Sequence, residues 1–295
     1  METSIEELIF PGLIDSPKDD RDIMIEGVAP SNIRYPKAMP APFTLDWRLQ
    51  GTNPWCVGFA GASLNQQAKA RQKIYTPFDG EWAYKQCKLI DGAPTLQGTY
   101  LRAVMAVMKN TGMKPVDGGD PANYKIEEYA LLGNNLEEAK IALSLYGGIL
   151  AAFQLSANGW AGNGNEVKPP KAGERTSGHA VMLTHYDESY IYGIDSLKNY
   201  HDGQIFKFKF ANYPPMEMRA ITCDKRARPA AGVQGWIAND VPGTINGDMI
   251  TARLNLRETP GGKVIKVLPI GTMFSVIGSQ SGNVGGHSWR KIEVI

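Results

Sequence analysis

A chain of 295 residues, 43% hydrophobic and 21% charged, carries enough apolar material for a buried core and has room for one large and one small domain. Its formal net charge of +1 supplies no overall field for nucleic acid or an anionic membrane, which excludes partners recognised by bulk charge. No uninterrupted apolar run approaches the roughly 20 residues that span a bilayer, and the opening METSIEELIFPGLIDSPKDDRD has neither a basic leader nor a small-residue cleavage site, so no classical signal peptide is expected.

Residues 1–43 are rich in Pro and charge and end in IRYPKAMPAPF, whose prolines suit an extended arm lying on the body and exclude a helix. In CVGFAGASLNQQAKARQ, Phe59, Ala60, Ser63, Leu64, Gln67 and Ala68 recur at helical spacing, and the helix begins at Cys56. A second helix is expected with Thr99 as its cap, a stripe of Leu101, Val104, Met105 and Met108, and Gly112 as its stop. A third runs from about Leu136 to Tyr146, with Asn135 as cap, Glu138 at the capping-box position and Gly147 at its end.

After Gly148 the texture becomes β: GILAAFQLS, HAVMLTHY, SYIYGID and QIFKFKF are short runs separated by Gly, Asn and Asp. Phe206, Phe208 and Phe210 alternate with Lys207 and Lys209, the period of a sheet with one buried face. Helices first and strands later predict an α+β domain. Residues 211–245, with Pro214, Pro215, Pro229 and Pro242, read as closing loops and a linker, and four or five short β runs over residues 248–295 read as a small all-β barrel. The expected division is an arm over 1–43, the α+β domain over 44–245 and the barrel over 246–295.

Cys56, Cys87 and Cys223 are too scattered for a disulfide framework, and none sits at metal-ligand spacing with a histidine, so neither metal nor cofactor is expected. Cys87 and Cys223 read as small buried residues. Cys56 stands at a helix start, where the macrodipole favours a thiolate. Position alone leaves a packing role equally open.

The surrounding string LDWRLQGTNPWCVGFAGA resembles the papain family of cysteine peptidases: Asp46, Trp47 and Arg48 lead into Gln50 and Gly51, and Gln50 stands six residues before Cys56. The resemblance implies that Cys56 is the nucleophile, and that Gln50 and the Cys56 N–H form the oxyanion hole. It also implies that His179, in SGHAVMLTHY, is the base. His185, six residues on, is the internal competitor of His179, in a context unlike the motif. The family's orienting Asn lies in an Asn-Ser-Trp-Gly run, and Asp195 and Ser196 occupy the matching place here. Asp195 thus replaces the asparagine, and Leu197 replaces the tryptophan that would shield the hydrogen bond. An aspartate can still accept the imidazole N–H. The segment EWAYKQCKLIDGAPTLQGTYLRAVMAVMKNTGMKP looks like the family's non-classical bacterial branch, and Asn53 and Trp55 show that the usual disulfide partner near the nucleophile is absent.

Leu254, Asn255, Leu256 and Arg257, followed by Pro260 and Gly261, resemble bacterial Src-homology-3-like domains. Together the two resemblances imply a peptidase acting on a peptide or protein substrate through an acyl-enzyme, with a barrel for targeting to peptidoglycan or for assembly into a larger particle such as a phage. The expected location is cytoplasmic, virion-associated or reached by non-classical export. Two alternatives stand beside this: a murein endopeptidase, and an inactive peptidase fold serving as a structural component. Neither nucleic acid nor membrane is an expected partner. The arm, shorter than the family's inhibitory prosegment, is expected to be retained; whether it covers part of the cleft is left open by the sequence.

Overall fold

The computed structural model describes residues 12–19, 22–25, 35–40, 48–161, 165–197, 204–222, 234–238, 240, 245–246, 249–250, 254–268, 274–284 and 286–294. Asp46, Trp47 and Cys223, singled out in the sequence, lie outside them. The chain divides into two compact units, Met1–Val28 with Lys37–Thr222, and Ala29–Pro36 with Cys223–Ile295.

The first unit begins its regular structure with three helices, α1 (Cys56–Ala70), α2 (Gly80–Ile90) and α3 (Leu101–Asn110). α1 starts at the residue expected. Its polar second half is buried, against expectation for a basic helix end: Asn65 Nδ2 donates to the Tyr124 carbonyl at 3.0 Å and Lys69 Nζ to the Lys125 carbonyl at 2.9 Å. Small residues let its neighbours approach. A Cβ on Gly58 would lie 2.2 Å from the Gly80 carbonyl oxygen, and one on Gly61 would lie 2.4 Å from a Val104 methyl, so α2 and α3 close on α1 at these two points.

α2 was not among the expected helices, although its signals are present: Asp79 accepts from the Trp82 N–H at 3.0 Å, and Ala83 and Cys87 form its buried face. α3 corrects the expected cap. Its N-cap is Tyr100, because Thr99 is committed elsewhere: its main chain pairs with the arm.

The strands of this unit are β1 (Glu128–Leu131), β2 (Ile149–Leu155), β3 (Ser177–Tyr186), β4 (Ile191–Ile194), β5 (Ile205–Phe208) and β6 (Glu217–Thr222). They form one antiparallel sheet in the order β1-β6-β2-β3-β4-β5. Between β1 and β2 runs α4 (Leu136–Tyr146), capped by Asn135 as expected and ended by Gly147 in the left-handed region at φ 81°. Glu138 uses its carboxylate on the Gly133 N–H and the Asn135 amide, so the capping box is a local variant.

One sheet face packs on the helices: Leu150, Ala152, Ala180 and Met182 share a core with Cys56, Val57, Leu64, Val104 and Met108. The opposite side holds an aromatic cluster in which Phe153 meets Phe206, Phe208 and Tyr213 edge-on at 5.0–6.4 Å, so the Phe/Lys alternation of β5 does bury its phenyl face.

The second unit contains a five-stranded antiparallel sheet built from β7 (Gln234–Ala238), β10 (Leu254–Arg257), β11 (Val264–Leu268), β12 (Phe274–Val284) and β13 (His287–Val294), ordered β11-β10-β7-β13-β12. A two-stranded pair, β8 (Ile245–Asn246) and β9 (Met249–Ile250), accompanies it. Ile237, Leu256, Phe274 and Ile292 form its core. The loops and linker expected over 211–245 are corrected in two places: β6 completes the first sheet, and β7 pairs with β13 and β10, so the second sheet starts before residue 246. Its hydrophobic partners lie across the sheet, beyond the reach of local periodicity.

Gly58→Ala should therefore drive a methyl into the α2 backbone and cost about 1–3 kcal/mol by overpacking. Urea unfolding checks this as a lower midpoint at unchanged slope.

Candidate active site

Cys56 is the first residue of α1, so its side chain sits where the helix presents unpaired N–H groups and the positive end of its dipole. His179 lies on β3, cross-strand from Phe153. Asp195 follows β4 directly, its main-chain N–H held by the Gln204 carbonyl. Helix and sheet thus meet with the thiol on one side and the imidazole and carboxylate on the other. All three are buried, at 1%, 3% and 0% exposure.

His179 Nε2 donates to Asp195 Oδ1 at 2.8 Å, which leaves Nδ1 on the side of the Cys56 thiol. Burial alone would push the imidazole towards its neutral form, but the Asp195 carboxylate and the Cys56 sulfur outweigh it and raise the pKa to about 10. Folding thus raises the proton affinity of His179. The linked stability is complete below the ordinary imidazole value of 6.5 and is lost as pH climbs towards 10.

Asp195 accepts more than the imidazole. The Leu197 N–H donates to the same Oδ1 at 2.8 Å, and Trp160 Nε1 donates to Oδ2 at 2.6 Å. Trp160, in the short helix α5 (Ala157–Ala161), also meets the His179 ring edge-on at 5.5 Å. The indole cover that Leu197 does not provide therefore comes from a different segment. Sequence reading missed Trp160; the signal was a lone Trp in a Gly/Asn-rich stretch, ANGWAGNGN, where an apolar ring has no local reason to sit. Trp160 also accounts for the aspartate. An amide at position 195 would either present Nδ2–H₂ to the indole N–H or lose its acceptor for His179.

Gln50 is buried at 3% exposure and tied to the strand end: its N–H donates to the Ser196 carbonyl at 2.9 Å, and the Ser196 hydroxyl donates to Gln50 Oε1 at 2.6 Å. Nε2 donates to the Asn53 carbonyl at 2.7 Å and keeps a second proton. Gln50, Ser196, Asp195 and His179 form one linked set ending at Cys56. His185 is not part of it. It stacks on Tyr192 at 4.4 Å with Nδ1 bonded to the Thr184 hydroxyl, and six strand residues put it roughly 20 Å from His179. Cys87, fully buried on α2 with its thiol pKa pushed up by desolvation, is a packing residue as expected.

The arm lies over the thiol. Gly12 is so close that a Cβ there would stand 2.5 Å from Cys56 Sγ, and Leu13 packs against Gly178, the residue before His179. The Thr99 N–H donates to the Gly12 carbonyl at 3.3 Å and the Ile14 N–H to the Thr99 carbonyl at 2.8 Å, so Leu13 and Thr99 form a parallel bridge. The loop presenting Thr99 is held by one lysine. Lys88 Nζ donates to the carbonyls of Ala93, Leu96 and Gly98 at 2.6–3.0 Å and pairs with Asp91 at 2.7 Å.

No group of three His, Cys, Asp or Glu among the described residues could hold a metal ion. The Asp195→Asn variant should bring the alkaline limb of Cys56 alkylation to lower pH, because an amide supports the imidazolium less than a carboxylate does. The measurement is the alkylation rate from pH 5 to 11; an unmoved limb would contradict the assigned role of the carboxylate.

No family model matches the chain, and no curated protein matches it by sequence. Solved structures do. Xylellain, a cysteine protease from Xylella fastidiosa, superposes with a TM-score of 0.64 at 19% identity over 74% of this chain and 97% of that one. A procathepsin B from Trypanosoma congolense gives 0.57 at 10% identity over 74% and 87%. The cysteine protease and lectin-like domains of Cwp84, a surface layer associated protein of Clostridium difficile, give 0.57 at 11% identity over 100% and 80%. The first unit has the papain-like fold.

Proposed function

We propose that the chain is a cysteine peptidase that cleaves peptide bonds through an acyl-enzyme. The observation that carries this reading is the continuous buried chain from Cys56 through His179 to Asp195, at the junction of helix and sheet. The Cys56 sulfur attacks the carbonyl carbon and His179 protonates the departing amine. Water then enters, His179 takes its proton, and the thioester is released as acid. The free Nε2 proton of Gln50 and the Cys56 N–H at the helix start are the proposed donors to the carbonyl oxygen as it gains charge. The likeness to cysteine proteases from three organisms supports the same assignment.

An inactive structural role draws no support from Asp195 and Leu197, because Trp160 supplies both the missing cover and a reason for the carboxylate. The arm makes the seated state latent: a peptide reaches Cys56 only when Gly12 and Leu13 have lifted. Replacing Cys56 by Ala should abolish peptide hydrolysis and labelling by a thiol-directed peptidyl epoxide, and any residual turnover at the wild-type rate would end the proposal. Gly12→Leu, whose side chain has no room over the sulfur, should unseat the arm and speed epoxide labelling at least tenfold, read by intact-mass spectrometry.

For the second unit we propose recognition of peptidoglycan, on the Leu254–Arg257 strand and its Pro260–Gly261 turn. This turn is closed by Glu258 N–H to the Lys263 carbonyl at 3.0 Å and Arg257 Nη1 to the Gly262 carbonyl at 2.6 Å. Full-length protein should cosediment with purified murein; recovery wholly in the supernatant would refute the assignment.

A further inference from the structure

Beside the base, three adjacent strands place Ala180, Ala152 and Glu217 in one row, so Glu217 lies roughly 10 Å across the sheet from the residue after His179. One position along β6 on the same face is Arg219, which pairs with Leu150. A cavity of about 310 Å³ opens here, bounded by Leu13, Ile14 and Asp22 of the arm and by Ala152, Glu217 and Arg219 of the sheet. The cavity thus runs from the arm residue seated against Gly178 to a guanidinium.

That guanidinium is arranged as a receptor for one carboxylate. Arg219 is 1% exposed, and its two terminal nitrogens donate side by side to Asp22 Oδ1 and Oδ2 at 2.8 and 2.9 Å, the fork geometry that Arg shares with carboxylates. Its third nitrogen donates to Glu217, and the Tyr129 ring lies 5.9 Å from its centre, so the fork is held from behind. Arg102 of α3 adds a second cation, 3.9 Å from Asp22 and 2.9 Å from Asp19. Ser16 completes the arm's hold by donating to Glu217 at 2.9 Å.

When the arm lifts, Asp19 and Asp22 leave with it. Of the charged groups named here, the body keeps two guanidiniums and one carboxylate, and the fork of Arg219 faces the cleft without a partner. A guanidinium that has lost one of its two carboxylates and keeps only Glu217 is left undercompensated, and burial already works against the charge of Arg219. A carboxylate arriving on a peptide restores the pair; an amide or alkyl chain does not.

Resting on the peptidase reading above, we infer that Arg219, backed by Glu217 and Arg102, is a carboxylate-binding pocket of the substrate cleft. It selects peptides with an acidic side chain where Leu13 and Ile14 now lie, and Asp22 fills it in cis while the arm is seated.

Two pools of blocked hexapeptides, one with Glu and the other with Gln at each position in turn, test this on the full-length chain. Titration calorimetry with the Cys56→Ala, Asp22→Asn protein should show the Glu pool binding at least tenfold more tightly. Adding Arg219→Lys, which keeps the charge and loses the fork, should erase the preference and leave binding of the Gln pool unchanged. On the wild-type chain, the Glu pool should accelerate epoxide labelling of Cys56 by displacing Asp22, and the Gln pool should not; this comparison decides the matter if Asp22→Asn fails to fold. Equal binding of the pools, no binding, or a Glu preference that survives Arg219→Lys overturns the pocket. Failure of Cys56 to label under any condition would instead remove the peptidase reading, while the binding comparison still decides the pocket.

Discussion

The buried carboxylate of Asp195 sets the terms for everything around it. Taking an ionised carboxylate out of water costs several kcal/mol even after the protein relaxes. The site offsets that with an imidazole, an indole and a main-chain N–H, each a charge-assisted contact worth about 1.5–3 kcal/mol. Those donors come from β3, α5 and the turn after β4, so the carboxylate fastens three segments distant in sequence. The same charge holds His179 in its protonated form and thereby fixes which nitrogen faces the thiol. Changing it alters protonation, orientation and packing together.

The thiol reaches this group because the site is also the seam of the fold. Cys56 belongs to the core that joins α1 and α3 to β2 and β3, and that core is closed by small residues: Ala60, Ala62, Ala152 and Ala180. Small side chains let helix and sheet approach, and the first turn of α1 then delivers sulfur to the imidazole. The arm uses this seam as well, with Leu13 entering the apolar core beside Ala152 and Ala180 while its aspartates meet two arginines further along. Apolar burial and ion pairing act on one strip of chain and together hold it across the seam.

Much of the site was legible because its parts are local strings. The Gln50–Cys56 spacing, the SGHAV run and the Asp195-Ser196 pair each stand on one element, and α4 announced itself through Asn135 and Gly147. What escaped were relations between elements. Trp160 contacts Asp195 from 35 residues away, and nothing in ANGWAGNGN points to that partner. Gly58 is the point where α2 touches α1, a contact that the string CVGFAGA does not disclose. α2 was missed although Asp79 is a good cap, because its buried face is short: Ala83 and Cys87 carry little apolar signal. β7 lay in a segment punctuated by prolines and glycines, and its pairing with β13 joins residues more than 50 positions apart. The arm was expected to lie on the body, but its ion pairs depend on Arg102 and Arg219, which no pattern in residues 1–43 foreshadows.

Lys88 bears on a chemical tension that a working thiol imposes on the loops around it. A catalytic thiol has to be kept reduced, whereas a loop clamped near it by a disulfide has to be kept oxidised, and one redox potential serves both poorly. Here the loop from Asp91 to Thr99 is gathered by an ammonium group bonded to three carbonyls and one carboxylate. Reductant leaves such a cage intact. The edge that carries Thr99 can therefore hold its shape under the strongly reducing conditions that best protect Cys56, and its integrity depends on keeping the lysine amine charged and unmodified.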